Sequence, residues 1–136
     1  MIMAKQRSII EQGHPTLAKA AQAITDVRSL ELQCLIDDLI ETAIAANGVG
    51  IAAPQINCSE QLFIVASRPN LRYPNAPKMV PTAMINPQIT AHSDDRVKDW
   101  EGCLSVPGLR GLVPRYRHIE VEYIDRDGDR QSQVLT

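Results

Sequence analysis

Two short runs contain the residue types that carry out chemistry. In Glu101-Gly102-Cys103-Leu104-Ser105 a thiol sits beside a glycine and two positions from a carboxylate. Ionised, Cys103 is a ligand for a divalent metal or a nucleophile; kept as a buried thiol, it is a small hydrophobe. Gly102 permits close approach to the sulfur, and Glu101 offers a carboxylate to hold neighbouring backbone or a basic side chain. In Gly48-Val49-Gly50-Ile51-Ala52-Ala53-Pro54-Gln55, the glycines make a tight turn, through positive φ or through close backbone approach. A dinucleotide-binding loop would need a third glycine where Ala53 stands, and a strand before it. Gln55 carries a donor and an acceptor on one carboxamide and could polarise a carbonyl in a pocket.

A metal centre draws its affinity from several preorganised donors, and the sequence is short of them. None of the three histidines, His14, His92 and His118, has another His or Cys within a four-residue helical step. They read as surface or hydrogen-bonding residues of an N-terminal arm, a polar loop and a strand start. A nucleophilic Cys103 would need a base beside it, and only His118 offers itself.

Positioning the two runs falls to the elements around them. Residues 29–46 space Leu32, Leu35, Ile36, Leu39, Ile40, Ala43 and Ile44 at steps of three and four, one face of a helix, with Glu31, Asp37, Asp38 and Glu41 mostly off it. Ser29 suits its start and Asn47-Gly48 its stop. This helix leads straight into the glycine run, and its apolar face is expected to pack on a sheet. Residues 61–66 and 82–86 are apolar runs of strand length, the second with Pro87 marking its end or an edge. Between them residues 68–81, with Pro69, Pro74, Pro77 and Pro81, read as a loop. Pro107, Gly108 and Pro114 predict an ordered loop after Cys103. Along it Arg110, Arg115 and Arg117 could reach a carboxylate or carbonyl, or form a solvated face, Arg117 above all. Ile119, Val121 and Tyr123 alternate with polar residues on a half-buried strand. A turn at Asp127-Gly128 then returns residues 131–136 as the second arm of a hairpin. A chain stopping inside that arm is expected to be a truncation. No internal repeat or low-complexity segment interrupts it.

Bulk properties narrow the partners. With 14 basic against 16 acidic residues, no DNA or membrane surface is built from net charge, and partners should be small or peptide-like. Three separated cysteines, Cys34, Cys58 and Cys103, argue against a disulfide framework and for a reducing, cytoplasmic setting. Residues 1–10 lack the pattern of a leader, and no run reaches the roughly 18 apolar residues of a membrane span.

Taken together and in this order, the two runs resemble those of peptide deformylases, hydrolases that remove the formyl group from N-formylmethionine on new chains. Residues 48–55 are similar to that family's G-x-G-x-A-A-x-Q motif and residues 101–105 to its E-G-C-L-S motif. Gly13-His14-Pro15-x-Leu17, the long helix, Met84-Ile85-Asn86-Pro87 and Leu112-Val113-Pro114-Arg115 extend the likeness over nearly the whole chain. The resemblance implies an α+β fold, mostly antiparallel sheets packed on an N-terminal helix, with residues 1–136 as a single domain.

It also implies a site. In the family, Fe2+ or Zn2+ is held by the cysteine and by two histidines of a helical H-E-x-x-H, whose glutamate takes a proton from the metal-bound water. Carried over, Cys103 is the metal ligand. Gln55 and the Leu104 N–H stabilise the oxyanion, Gly50 and Arg110 touch the peptide backbone, Val49 lines the methionine pocket and Glu101 is a brace. Trp100 lies at the site's edge or is an ordinary packing residue. The C-terminal H-E-x-x-H helix is missing from these 136 residues, so the chain is expected to be truncated, inactive at this length and partly uncovered on its inner sheet face, exposing apolar surface. The implied partners are N-formylmethionyl peptides, at the ribosome in the cytoplasm. Two alternatives stand beside this one: a non-catalytic relative whose groove binds peptide or is purely structural, and a thiol enzyme using Cys103.

Overall fold

The chain builds two short antiparallel sheets and one long helix, seen in a computed structural model that describes residues 4–69 and 74–136. In order, the elements are α1 (Pro15–Ala18), α2 (Leu30–Ala45), β1 (Gly50–Ala52), a 3₁₀ turn (Ala53–Ile56), β2 (Leu62–Val65), β3 (Thr82–His92), β4 (Arg96–Cys103), β5 (Val106–Tyr116), β6 (Ile119–Ile124) and β7 (Arg130–Leu135). Strands β1, β2, β3, β6 and β7 form one sheet in that order, and β4 pairs with β5 alone. All these pairings are antiparallel. The architecture is the expected α+β arrangement.

Helix α2 starts and stops where its sequence directs. Ser29 Oγ accepts the Leu32 N–H at 3.1 Å. At the other end Asn47 adopts φ 55°, while the Asn47 and Gly48 N–H groups return to the Ile44 and Ala43 carbonyls, a Schellman ending with Asn in the left-handed place. Leu32, Leu35, Ile36, Leu39 and Ala43 are buried against Ile51, Leu62, Ile64, Ala83 and Ile85 of the five-stranded sheet. Asp38 departs from expectation. It lies off the apolar stripe and is nonetheless only 5% exposed, because the N-terminal arm runs over it.

Alternation along β2 divides its side chains between two clusters. Leu62 and Ile64 face α2, whereas Phe63 and Val65 pack with Met84, Val121 and Tyr123 on the opposite face. That opposite face was expected to be partly uncovered. Its centre is buried, and its rim of Phe63, Val65, Ile119 and Leu135 is half-buried.

Two expectations based on proline are corrected. Strand β3 does not end at Pro87, although β2 pairs with it only over residues 82–85, so from Pro87 on it is open on that side, the edge the proline was also expected to mark. The ladder slips between Ile85 and Gln88, leaving Pro87 unpaired in a bulge where its missing N–H costs no hydrogen bond, and the strand continues to His92. Likewise Pro107, Gly108 and Pro114 do not make a loop; they lie within β5. In a two-stranded sheet each strand has an open edge, so a proline can face outward without breaking the ladder. Of the expected loop over residues 68–81, positions 70–73 lie outside the described residues, and the rest carries neither helix nor strand. The β6–β7 hairpin forms as read, its turn drawn together by Asp125, whose Oδ1 accepts the Asp127 and Asp129 N–H groups.

Candidate active site

The glycine run and the cysteine run meet because β1 and the tip of the β4–β5 hairpin are held side by side. Gly48 is buried, and a Cβ on it would stand 2.8 Å from Leu104 Cδ1, so the leucine of the second run lies over the glycine of the first. Gly50 makes a similar approach within the sheet, where a Cβ would be 3.0 Å from the Ile64 carbonyl oxygen. Neither glycine has positive φ, so close approach is the reason for both.

Gln55 enters from the 3₁₀ turn, and both ends of its carboxamide are engaged. Oε1 accepts the Ala52 N–H at 2.9 Å. Nε2 donates to Ser105 Oγ at 3.1 Å and points at Cys103 Sγ, 3.7 Å away. With the amide oxygen occupied by a backbone donor, the amide N–H groups are the part presented to the sulfur. A small cavity of about 120 Å3 opens there, lined by Gly48, Val49, Gly50, Gln55, Cys103 and Leu104 among others. Cys103 is exposed, which overturns its reading as a buried hydrophobe.

Five of the seven expected site residues, Val49, Gly50, Gln55, Cys103 and Leu104, therefore share one cavity. Arg110 lies beside it rather than in it, lining a neighbouring open groove with Val49, Pro74 and Asp99, and its Nη2 contacts the Trp100 carbonyl at 3.5 Å. Glu101 is turned away from the cavity. Its two oxygens accept from Arg115 Nε and Nη2 at 3.0 and 2.7 Å across the β4–β5 ladder, and this paired donation holds its carboxyl below the usual carboxylate range. Arg117 pairs with Asp95 at the hairpin's root. Trp100 stands on β4 opposite Leu112, is 54% exposed and does not line the cavity.

Ser105 is the residue that sequence reasoning left without a role. It is buried, its hydroxyl receives Gln55, and its carbonyl receives the Gln12 N–H at 2.8 Å. Its place in the cysteine run was the only signal. Among the described residues no three His, Cys, Asp or Glu side chains gather as a metal-binding group. His14 caps α1 through Nδ1, His92 stacks on Tyr116 with ring centroids 3.8 Å apart, and the His118 N–H donates to Ser93 Oγ. Among the described residues, Cys103 is the one His, Cys, Asp or Glu side chain that lines the cavity.

Comparison with known proteins settles the family. Residues 6–136 match the polypeptide deformylase family model. The chain belongs to the peptide deformylase family. Among curated deformylases, it is 61% identical to peptide deformylase 2 of Nostoc sp. over 94% of this chain and 72% of that one. It is 49% identical to peptide deformylase 1 of Bordetella pertussis over 90% of this chain and 70% of that one. Its fold is similar to that of a class I type b peptide deformylase from Acinetobacter baumannii, solved with Met-Ala-Ser bound, with TM-score 0.94 and 38% identity over 98% of this chain and 86% of that one. A peptide deformylase from Ehrlichia chaffeensis superposes with TM-score 0.85 at 28% identity. The deformylase fold expected from the two motifs is therefore present, and no helix among the described residues is long and apolar enough to cross a membrane.

Proposed function

We propose that this deformylase-family chain recognises the formyl-methionyl end of a nascent peptide, as one deformylase-like domain acting in the cytoplasm near the ribosome. The observation that carries the reading is the Gln55 carboxamide, clamped by Ala52 so that its N–H groups face the cavity beside Cys103 Sγ. A fixed donor of this kind supports a carbonyl oxygen as it gains negative charge, with no reorganisation needed at that moment. Val49 lines the same cavity and would meet the methionine side chain. Gly50, which presents bare backbone, and Arg110, on the adjoining groove, would meet the peptide main chain, while the Leu104 N–H would be a second oxyanion donor.

The hydrolysis implied by the family needs Fe2+ or Zn2+, and the residues present do not make that centre. A catalytic site of this type takes three protein ligands, and the cavity supplies Cys103 alone. These 136 residues carry the recognition half of the site, which also favours the second reading, peptide binding without turnover at this length.

Three measurements on the 136-residue chain separate the readings: metal by elemental analysis, deformylation of a formyl-Met peptide, and calorimetry with that peptide. The expected result is substoichiometric metal, no turnover and measurable binding that Gln55→Ala weakens. One equivalent of metal with turnover overturns the claim of inactivity at this length, and absence of any heat of binding overturns the recognition reading. A downstream H-E-x-x-H in the coding sequence would supply the missing donors and restore hydrolysis as the function of the longer product.

A further inference from the structure

The N-terminal arm makes a chain of hydrogen bonds that no motif announces. Its first half is fastened to α2. Asp38, buried in the middle of the helix, accepts the Lys5 N–H at 2.7 Å and Arg7 Nε at 2.9 Å, with Arg7 Nη2 at 2.7 Å from the same carboxylate. One turn on, Thr42 Oγ1 accepts the Arg7 N–H at 2.8 Å and donates to the Asp38 carbonyl. The second half is fastened to the site: the Ile10 N–H donates to the Gln55 carbonyl and the Gln12 N–H to the Ser105 carbonyl, both at 2.8 Å. Among the described residues, this last bond is the one main-chain hydrogen bond that the tip of the β4–β5 hairpin makes outside the hairpin.

We propose that residues 5–12 are a strap that fixes the Gln55–Cys103 separation, with Asp38 the positioning residue that anchors it. The inference rests on reading the Gln55–Cys103 cavity as the working site. Among the described residues, the hairpin is also joined to the body by its covalent stems at residues 93–95 and 117–118, by the stacking of Tyr116 on His92, and by side-chain contacts at Cys103, Leu104 and Ser105. A tip without that main-chain bond can tilt on its side-chain contacts, and a tilt of the hairpin moves Cys103 relative to Gln55. The strap removes that freedom by tying both runs to one rigid helix. Asp38 suits the anchor because a buried carboxylate satisfied by a guanidinium and a backbone N–H is costly to release.

Amide hydrogen exchange and the Gln55 side-chain amide resonances, both read by NMR on the 136-residue chain, test this. Asp38→Ala is expected to speed exchange at Ile10 and Gln12 by about tenfold while Val121 and Tyr123 in β6 keep their wild-type rates. It should also move the Gln55 Nε2–H signals. Asp38→Asn, which retains an oxygen for the Lys5 N–H but loses the Arg7 ion pair, should give a smaller change in both. If Asp38→Ala does not fold, Gln12→Pro decides: it deletes the N–H that reaches Ser105 at an exposed position, and should move the Gln55 signals with exchange at Lys5 and Arg7 unchanged. Gln55 signals that stay in place in either folded variant overturn the proposal, as does β6 exchange that accelerates in step with Ile10 and Gln12. Neither readout involves metal or turnover, so a chain that fails to bind formyl peptide leaves the strap result standing.

Discussion

Gln55 Nε2 faces Cys103 Sγ across 3.7 Å, while the same carboxamide's oxygen is tied to the Ala52 N–H. A 180° flip of the amide would set oxygen against the sulfur and leave the Ala52 N–H facing an NH2 group, so one orientation is strongly preferred. In this orientation the amide N–H groups, not the oxygen, face the sulfur.

Gln55→Glu keeps the acceptor for Ala52 and replaces the donor by a carboxylate. That charge opposes formation of the Cys103 thiolate, which is the species that reacts with alkylating agents. Iodoacetamide, followed by mass spectrometry at neutral pH, should modify Cys103 before Cys34 and Cys58 in the wild-type chain, with Cys58 slow because burial pushes its thiol up. In Gln55→Glu the Cys103 rate should fall by about threefold or more. An unchanged rate would show that the amide does not influence the sulfur.

The Glu101–Arg115 pair is a cross-strand tie, and its worth should depend on pH. Arg115 lowers the Glu101 carboxyl in the folded chain, so the stabilisation is complete above the unfolded carboxylate value of about 4.3 and disappears as pH falls through the lower folded value. Both side chains are substantially exposed, which limits the coupling to about 0.2–1 kcal/mol and makes it sensitive to salt. A double-mutant cycle with Glu101→Gln and Arg115→Gln, by urea denaturation at pH 7 and again at pH 3, should find the coupling at the first and little at the second. Equal coupling at both would assign the contribution to something other than charge.

Alanine at the two glycines of the first run should separate stability from site geometry. At Gly48 the obstructing atom is the end of the flexible Leu104 side chain, which can rotate away; at Gly50 it is the backbone carbonyl of Ile64, which cannot move without disturbing the β1–β2 pairing. Gly50→Ala is therefore expected to lose more stability, about 1–3 kcal/mol, and Gly48→Ala less. Gly48→Ala should instead perturb the neighbourhood of Cys103, seen as an altered alkylation rate. The reverse ranking in denaturant would contradict the packing described here.

How much of this was legible beforehand depended on whether burial is one-sided. Helix α2 was readable because Leu32, Leu35, Ile36, Leu39 and Ala43 all face one sheet, and β6 because Val121 and Tyr123 alternate with exposed Glu122. The β4–β5 hairpin was not, since β4 and β5 are mostly exposed along their length and neither prints an alternation. Its prolines then suggested a loop. The site runs were visible from their residue types, and the cavity joins five of the seven residues chosen. What stayed hidden was carried by main-chain groups, such as the Gln12 N–H on Ser105, or by strand register, such as Arg115 falling within reach of Glu101. Neither leaves a trace in residue identity.

Asn86 offers the sharpest separation of backbone strain from hydrogen bonding. It holds φ 50°, immediately before Pro87 and within the bulge that lets β3 continue. Its side chain is also bound at both ends to Ile24, with Oδ1 accepting the N–H and Nδ2 donating to the carbonyl, each at 2.8 Å. Asn86→Ala loses both bonds and forces a left-handed conformation on a residue that resists it, a total of about 2–4 kcal/mol. Asn86→Gly loses the same bonds but tolerates the backbone, and should retain about 1 kcal/mol more stability than the alanine variant in urea denaturation. If alanine and glycine are equally destabilising, the left-handed backbone contributes nothing and the Ile24 contacts account for the whole effect. If glycine approaches wild-type stability, those contacts are incidental and the bulge rests on conformation alone. The expected intermediate result requires both, and would explain why a strand carrying a proline in mid-course still pairs on either side of it.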